Sequence, residues 1–199
     1  MSGTFPTSPA PSSMVQKSIQ PTMVSQSHSL KRNVRSRGGQ RWAFSLSFQA
    51  RRRAEMAPLI AFALSQRGQY GTFSFVPAVI GKRQATGGGT PVIRTTTASG
   101  RTVPVTGVTP SQTLGLAGDF IKFGSHSKVY MLTADAAADI NGNVDLSIEP
   151  ALYAQVAQAE SVILDNVSFT VAFASDLVET PIEPPLKYSW NCELVEVLP

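Results

Sequence analysis

Trp42, Phe44, Leu46 and Phe48 alternate with Ala43, Ser45 and Ser47, and this period of two predicts a half-buried antiparallel strand over Arg41–Phe48. A strand-like run at Ser29–Ser36 precedes it, and Arg37-Gly38-Gly39 between the two predicts a hairpin turn. From Arg51 the period becomes helical. Met56, Leu59, Ile60, Ala63 and Leu64 recur at spacings of three and four on one face, and the pattern ends before Gly68. Pro58 lies within about two turns of the start, where it either sets the N-terminus or kinks the first turn. The run QYGTFSFVP then supplies a strand with Phe73 and Phe75 on one face, so strand, helix and strand fold back on each other.

Between Pro77 and Leu164 short β-branched runs follow at Val92–Thr97, Arg101–Thr106, Asp119–Phe123, Lys128–Ala134 and Val144–Glu149, separated by Gly, Pro or Asn-Gly turns. Five such strands suit a small closed barrel, most simply an OB-like one. Two later strands, NVSFTVAFAS and LKYSWNCELVEVL, have no helix of their own; the second alternates through Leu186, Tyr188, Trp190, Cys192 and Leu194. Their economical place is back on the first sheet, which makes residues 29–77 and 165–199 one discontinuous β domain and 78–164 an inserted barrel. Residues 1–28, rich in Ser, Thr, Pro and Gln without a sustained period, are expected to form an extended arm that orders against a partner. The expected class is mainly β with one short helix: a split barrel or sandwich carrying an inserted OB-like barrel.

Charged residues are 15% of the 199, against a usual share of about a quarter, which agrees with a β body rich in turns. The formal charge of +4 is unevenly spread. Lys17, Lys31, Arg32, Arg35, Arg37, Arg41, Arg51, Arg52, Arg53 and Arg67 fall in the first third, where Glu55 is the only acid. From Asp119 onward acids dominate, opposed only by Lys122, Lys128 and Lys187. Either opposite faces dock copies head-to-tail, or the two segments neutralise each other within one fold. Cys192 is the only cysteine, which excludes an intrachain disulfide and a CxxC zinc site. The first residues lack a signal-type apolar core, and no run reaches the roughly eighteen apolar residues of a membrane span. The expectation is a soluble protein made in the cytoplasm, without membrane insertion.

Candidate chemistry is sparse. His28 and His126 are the only histidines, the latter read as an exposed turn residue in GSHSK, and neither forms a metal motif. Adjacent Ser125, His126 and Ser127 do not place a base on a nucleophile. Gly87-Gly88-Gly89-Thr90 lacks phosphate-loop spacing and reads as a flexible connector. The acidic turn Asp135 to Asp145 lacks a calcium loop's terminal glutamate, and Asn141-Gly142 suffices as a hairpin turn. Cys192 reads as a small buried hydrophobe. The barrel's aromatics are Phe120, Phe123, Tyr130 and Tyr153, with Phe120 and Tyr130 divided between core and surface, too few exposed for a single-strand reader. No catalytic, cofactor-binding or metal residue emerges, so no enzyme is expected.

The strand bearing Trp42, the helix MAPLIAFALSQRG, the strand GTFSFVP, the segment AGDFIKFGSHSKVYMLTAD and the last strand LKYSWNCELVEV together resemble the distal tail protein of long-tailed, non-contractile bacteriophages. The subtype resembled carries an inserted OB-like domain. The resemblance covers most of residues 29–199, is most particular from Ala117-Gly118-Asp119 through Tyr130, and leaves the long N-terminal arm as a departure.

It implies a structural virion protein whose tail-ring domain assembles as a homohexameric ring between the tail tube protein and the hub or baseplate protein of the tail tip. DNA passes through the lumen during ejection without specific binding, and a neutral or acidic lumen is expected. The insertion points outward, toward a side fibre, a collar protein or host saccharide. Arg51, Arg52 and Arg53 would meet Glu193 or Glu196 of a neighbouring subunit or adjoining ring, the alternative being a solvated basic turn. The alternative function is an OB-fold binding module for nucleic acid or carbohydrate, with a hydrolase a distant third.

Overall fold

The computed structural model describes residues 3–184 and 187–198. It is mainly β with a single α-helix. The chain opens with β1 (Ser13–Ile19), β2 (Thr22–Gln26), β3 (Arg32–Ser36) and β4 (Arg41–Arg52), followed by α1 (Arg53–Ser65) and β5 (Phe73–Phe75). It returns through β14 (Phe169–Phe173), β15 (Ile182–Glu183) and β16 (Lys187–Glu196) after the strands of a second unit. Residues up to Ser74 and from Thr170 form one compact unit, and Phe75–Phe169 form the other.

In the first unit the sheet order is β1-β4-β16-β14-β5, with β15 also on β16. β4 is a strand because its apolar alternation has a surface to meet: Phe44, Leu46 and Phe48 are at most 2% exposed, while Ser45 and Ser47 are half-buried. β16 lies antiparallel beside it, Leu194 opposite Phe44 and Trp190 opposite Phe48. Phe48 stacks on Trp190 at 5.6 Å between ring centres, and Phe5, Phe62, Phe73 and Phe173 extend the aromatic cluster. Each fully buried ring contributes about 1.5–3 kcal/mol by burial alone. Met56, Leu59 and Ala63 of α1 are buried, as the helical period requires, whereas Leu64 is 62% exposed. Pro58 lies inside the helix and does not set its start.

The N-terminal arm departs from expectation. β1 pairs with β4 from Ser13 opposite Ser47 to Ile19 opposite Arg41. Farther upstream Phe5 donates to the Ser74 carbonyl at 2.8 Å and is itself buried, so the arm is part of the fold without a partner. A strand with only Met14, Val15 and Ile19 apolar fits there because an edge strand needs few apolar residues and the sheet supplies its hydrogen bonds. The hairpin turn also moves. β3 pairs with β2, not with β4, and the chain reverses at Ser27–Lys31, where Leu30 donates to the Ser27 carbonyl at 2.9 Å. Gly38 and Gly39, at φ +69° and +68°, make the joint at which β2 and β3 continue beyond β1 and β4 as a projecting ribbon. Only a residue without a Cβ adopts that backbone freely.

The second unit contains β6 (Gly89–Ile93), β7 (Thr102–Val108), β8 (Thr113–Gly115), β9 (Phe120–Phe123), β10 (Val129–Leu132), β11 (Ala136–Ala137), β12 (Val144–Glu149) and β13 (Val162–Ile163). Four of the five expected strands are present near their expected bounds, while the first moves upstream, from the expected Val92–Thr97 to Gly89–Ile93; the short β13 is a sixth, giving the order β13-β9-β10-β12-β7-β6. Ile93 exchanges hydrogen bonds of 2.9 Å with the backbone of Glu160 and Ala159, nearly closing the sheet into a barrel. Val103, Val105, Ile121, Phe123, Tyr130, Leu132, Leu146 and Ile148 fill its core. Both Phe120 and Tyr130 are buried, so neither divides toward the surface. The glycine run is no loose connector either: Gly89 opens β6, and a Cβ at Gly87 would overlap the Thr113 carbonyl.

Candidate subunit interface

Arg51 and Arg52 are the last residues of β4, opposite Tyr188 and Lys187 of β16, and Arg53 is the first residue of α1. The helical period therefore starts two residues later than expected, because pairing with β16 holds Arg51 and Arg52 extended. Arg52 occupies the helix N-cap with φ −66° and ψ 152° and makes no side-chain capping bond. Ser, Thr, Asp or Asn there would accept from a free N–H of the first turn, and a cation at that end opposes the helix dipole. Glu55 offsets part of this through a 3.3 Å ion pair with Arg51. Among the described residues no carboxylate pairs with Arg52 or Arg53.

The two acids lie elsewhere. Glu193 is on β16 opposite Ser45, five residues along the strand from Tyr188, about 16 Å at the usual rise. Its carboxylate accepts from Lys17 Nζ and Ser45 Oγ, both at 2.8 Å. The Lys17 hydrogen bond, then the Ser45 bond and the Lys17 charge, hold its pKa below the usual range. Glu196 is fully buried and accepts from the Trp42 backbone N–H at 3.1 Å, which removes it from any surface between subunits. It stands on the Trp190–Leu194 side of β16, where only an internally bonded carboxylate is tolerated. The structure thus brings Arg51, Arg52 and Arg53 together, places Glu193 in a separate intrachain pair, and withdraws Glu196.

Residues around the most particular motif also have structural work. The Asp119 carboxylate, 2% exposed, accepts from Gln84 N at 3.1 Å, Gln84 Nε2 at 3.1 Å and Leu116 N at 2.9 Å. His126 is buried, not exposed: Nδ1 lies 3.1 Å from Tyr130 Oη and Nε2 3.1 Å from the Gln155 carbonyl. A carbonyl only accepts, so Nε2 donates to Gln155, and in the neutral imidazole Nδ1 accepts from Tyr130, whose oxygen in turn accepts from Tyr153 N. Nearby, Glu160 takes hydrogen bonds from Ser125 Oγ, Ser125 N and Ala157 N. Burial raises its pKa, but these bonds and His126 outweigh burial and leave it lowered. Asp139 is spent on the Asn141–Asn143 turn, accepting both backbone N–H groups at 2.8 Å.

Cys192 is half-buried, less enclosed than a core hydrophobe, and desolvation followed by the Glu193 charge pushes its thiol up to about 12. Leu186 lies outside the described residues. Among those described, no cluster of three or more His, Cys, Asp or Glu side chains is arranged to hold a metal, and no helix is long and apolar enough to cross a membrane.

Sequence reasoning overlooked the ribbon of β2 and β3, in which Lys31, Arg32, Arg35 and Arg37 sit on residues that are all exposed. Its signal was the cation excess itself. Seventeen lysines and arginines face thirteen acids, and these four account for the whole formal charge of +4. No protein-family model and no curated protein matches the sequence.

Proposed function

We propose that this chain is a structural virion protein, a distal tail protein whose copies form a ring joining the tail tube to the tail-tip hub. The observation that carries the reading is the uncapped cationic start of α1. Arg52 and Arg53 stand where a helix favours a capping oxygen or an acid, so local stability is given up at an exposed turn. Such a departure from local preference marks a functional position, and cations without an ion-pair partner among the described residues suit an acidic protein surface. A mainly β body with a second, barrel-like unit supports the same reading through the resemblance drawn from the sequence.

The test is the mass of the purified protein by light scattering across a concentration series, with and without a short oligonucleotide, followed by electron microscopy. A defined oligomer, six copies expected, with a central hole and no dependence on the oligonucleotide, supports the ring. A monomer that changes mass only on adding oligonucleotide replaces it with a nucleic-acid-binding module.

A further inference from the structure

Every residue from Lys17 to Gly39 is exposed, although two five-residue strands lie within that stretch. A lone two-stranded ribbon is marginally stable in water, so this one calls for an external surface. On one side Val24 stands opposite Val34, with Gln26 opposite Arg32 at the tip; on the other Met23 stands opposite Arg35. Met23, Val24 and Val34 are each at least 50% exposed, and Leu30 in the turn is 76% exposed. The surface that accepts this ribbon must therefore combine apolar area with negative charge.

The same unit has such a surface. An open groove of about 310 Å³ runs beside β16, lined by Ser45, Asn191 and Glu193 of the sheet and by the apolar Leu177 and Val178, with Trp190 buried beneath it. Leu177 is 68% exposed, an apolar side chain left at the rim. Glu179 follows two residues later, exposed and without an ion pair among the described residues. Glu193 is already held by Lys17 and Asp176 accepts from the Gln69 backbone N–H, so among the described acids of this border Glu179 is the one left for an incoming cation. The ribbon is continuous with the Ile19–Arg41 end of its own sheet, and its full exposure shows that it does not occupy its own groove.

We propose that the ribbon of one copy docks in this groove of a second copy, Val24 and Val34 against Leu177 and Val178, and Arg32, on the same side as the two valines, toward Glu179. The proposal rests on the ring reading, to which it adds the segment that reaches across. Nucleic acid fits the ribbon less well. No Phe, Tyr or Trp is present between Thr22 and Ser36 to stack on a base, and Arg32 and Arg35 point to opposite sides instead of forming one phosphate-binding row.

The test compares the oligomer mass of the full-length protein with that of V24D/V34D, R32E/R35E, E179K and the combination R32E/R35E/E179K, each with and without oligonucleotide. The sites are exposed, so the variants should match the parent in circular dichroism and melting. We expect V24D/V34D, R32E/R35E and E179K each to raise the concentration needed for assembly at least tenfold, and the combination to recover most of that loss. Assembly of the parent together with unchanged assembly of V24D/V34D or E179K overturns the docking and leaves the ring intact. A parent that is monomeric at every concentration overturns the ring reading and the docking with it. Retention of oligonucleotide that R32E/R35E abolishes assigns the ribbon to nucleic acid instead.

Discussion

Replacing Arg52 with Asp and Arg53 with Glu should make the protein more stable and less able to assemble. Arg52 supplies no capping bond, so an Asp oxygen accepting from the first turn of α1 adds about 0.5–2 kcal/mol. Exchanging a cation for an acid at Arg53 adds about 0.3–1 kcal/mol through the helix dipole. Asp opposite Lys187 also replaces a like-charge cross-strand pair with an opposite one, worth about 0.2–1 kcal/mol. Asp is a poor strand residue, but Arg52 is the last residue of β4, where that penalty is smallest. The sum of the three gains is about 1–4 kcal/mol, read as an upward shift of the urea midpoint at unchanged slope. Light scattering on the same samples should show assembly weakened tenfold or more. A variant that is less stable, or one that is stabilised and assembles like the parent, refutes the argument that stability is sacrificed here for contact.

Three further outcomes follow from the barrel. Asp119→Ala leaves Gln84 N and Leu116 N without their carboxylate acceptor, so urea unfolding of the second unit should shift by about 2–6 kcal/mol. Tyr130→Phe removes the oxygen shared by Tyr153 N and His126 Nδ1, and the same assay should show a loss of about 1–3 kcal/mol. The lowered pKa of Glu160 makes its contribution fully present above its unfolded pKa of about 4.3 and lost as pH falls through the folded value. Melting followed between about pH 5 and 3 should therefore fall more steeply for the parent than for Glu160→Gln.

The legible parts of the fold were those with a one-sided environment. Trp42 to Phe48 alternate because one face of β4 is core and the other is not, and Met56, Leu59 and Ala63 repeat because α1 buries one stripe. β1 and β2 escaped the same reading because neither face of these strands is strongly buried, so no apolar period was written there; β3 lies within the expected run Ser29–Ser36, but its partner is β2 instead of β4. Local turn chemistry misled at His126, whose partner Gln155 is 29 residues away. Glu196 was in principle readable: it shares its parity on β16 with Trp190 and Leu194, and an acid on that face has to be bonded inside the protein. In the basic cluster, sequence grouped the three arginines only as chain neighbours, and Arg51 and Arg52, successive residues of β4, point to opposite faces. Sequence could not show that Arg51 has an intrachain acid while Arg52 sits uncapped on the helix axis, because both facts depend on where the strand ends.

The two cationic surfaces lie at opposite ends of one strand. β4 begins beside the ribbon at Arg41 and finishes at Arg52, eleven steps later, about 36 Å at the usual rise. A two-fold dimer makes each contact twice, element i on j and j on i, so ribbon to groove can be met reciprocally within a dimer or in one direction, head to tail. A ring requires the second arrangement, in which each copy gives its ribbon to one neighbour and its groove to another. Head-to-tail contacts close into rings when the rotation allows and otherwise propagate as filaments. With the ribbon occupied by a neighbour, Arg52 and Arg53 remain at the far end of β4 for a different contact, such as one with an adjoining ring. The two surfaces should then be separable: ribbon variants should abolish the ring itself, whereas the Arg52 and Arg53 variant, if it acts between rings, should leave single rings that no longer stack. Electron microscopy of the two kinds of variant distinguishes these states, and single rings lost in both would assign the strand–helix turn to the ring wall.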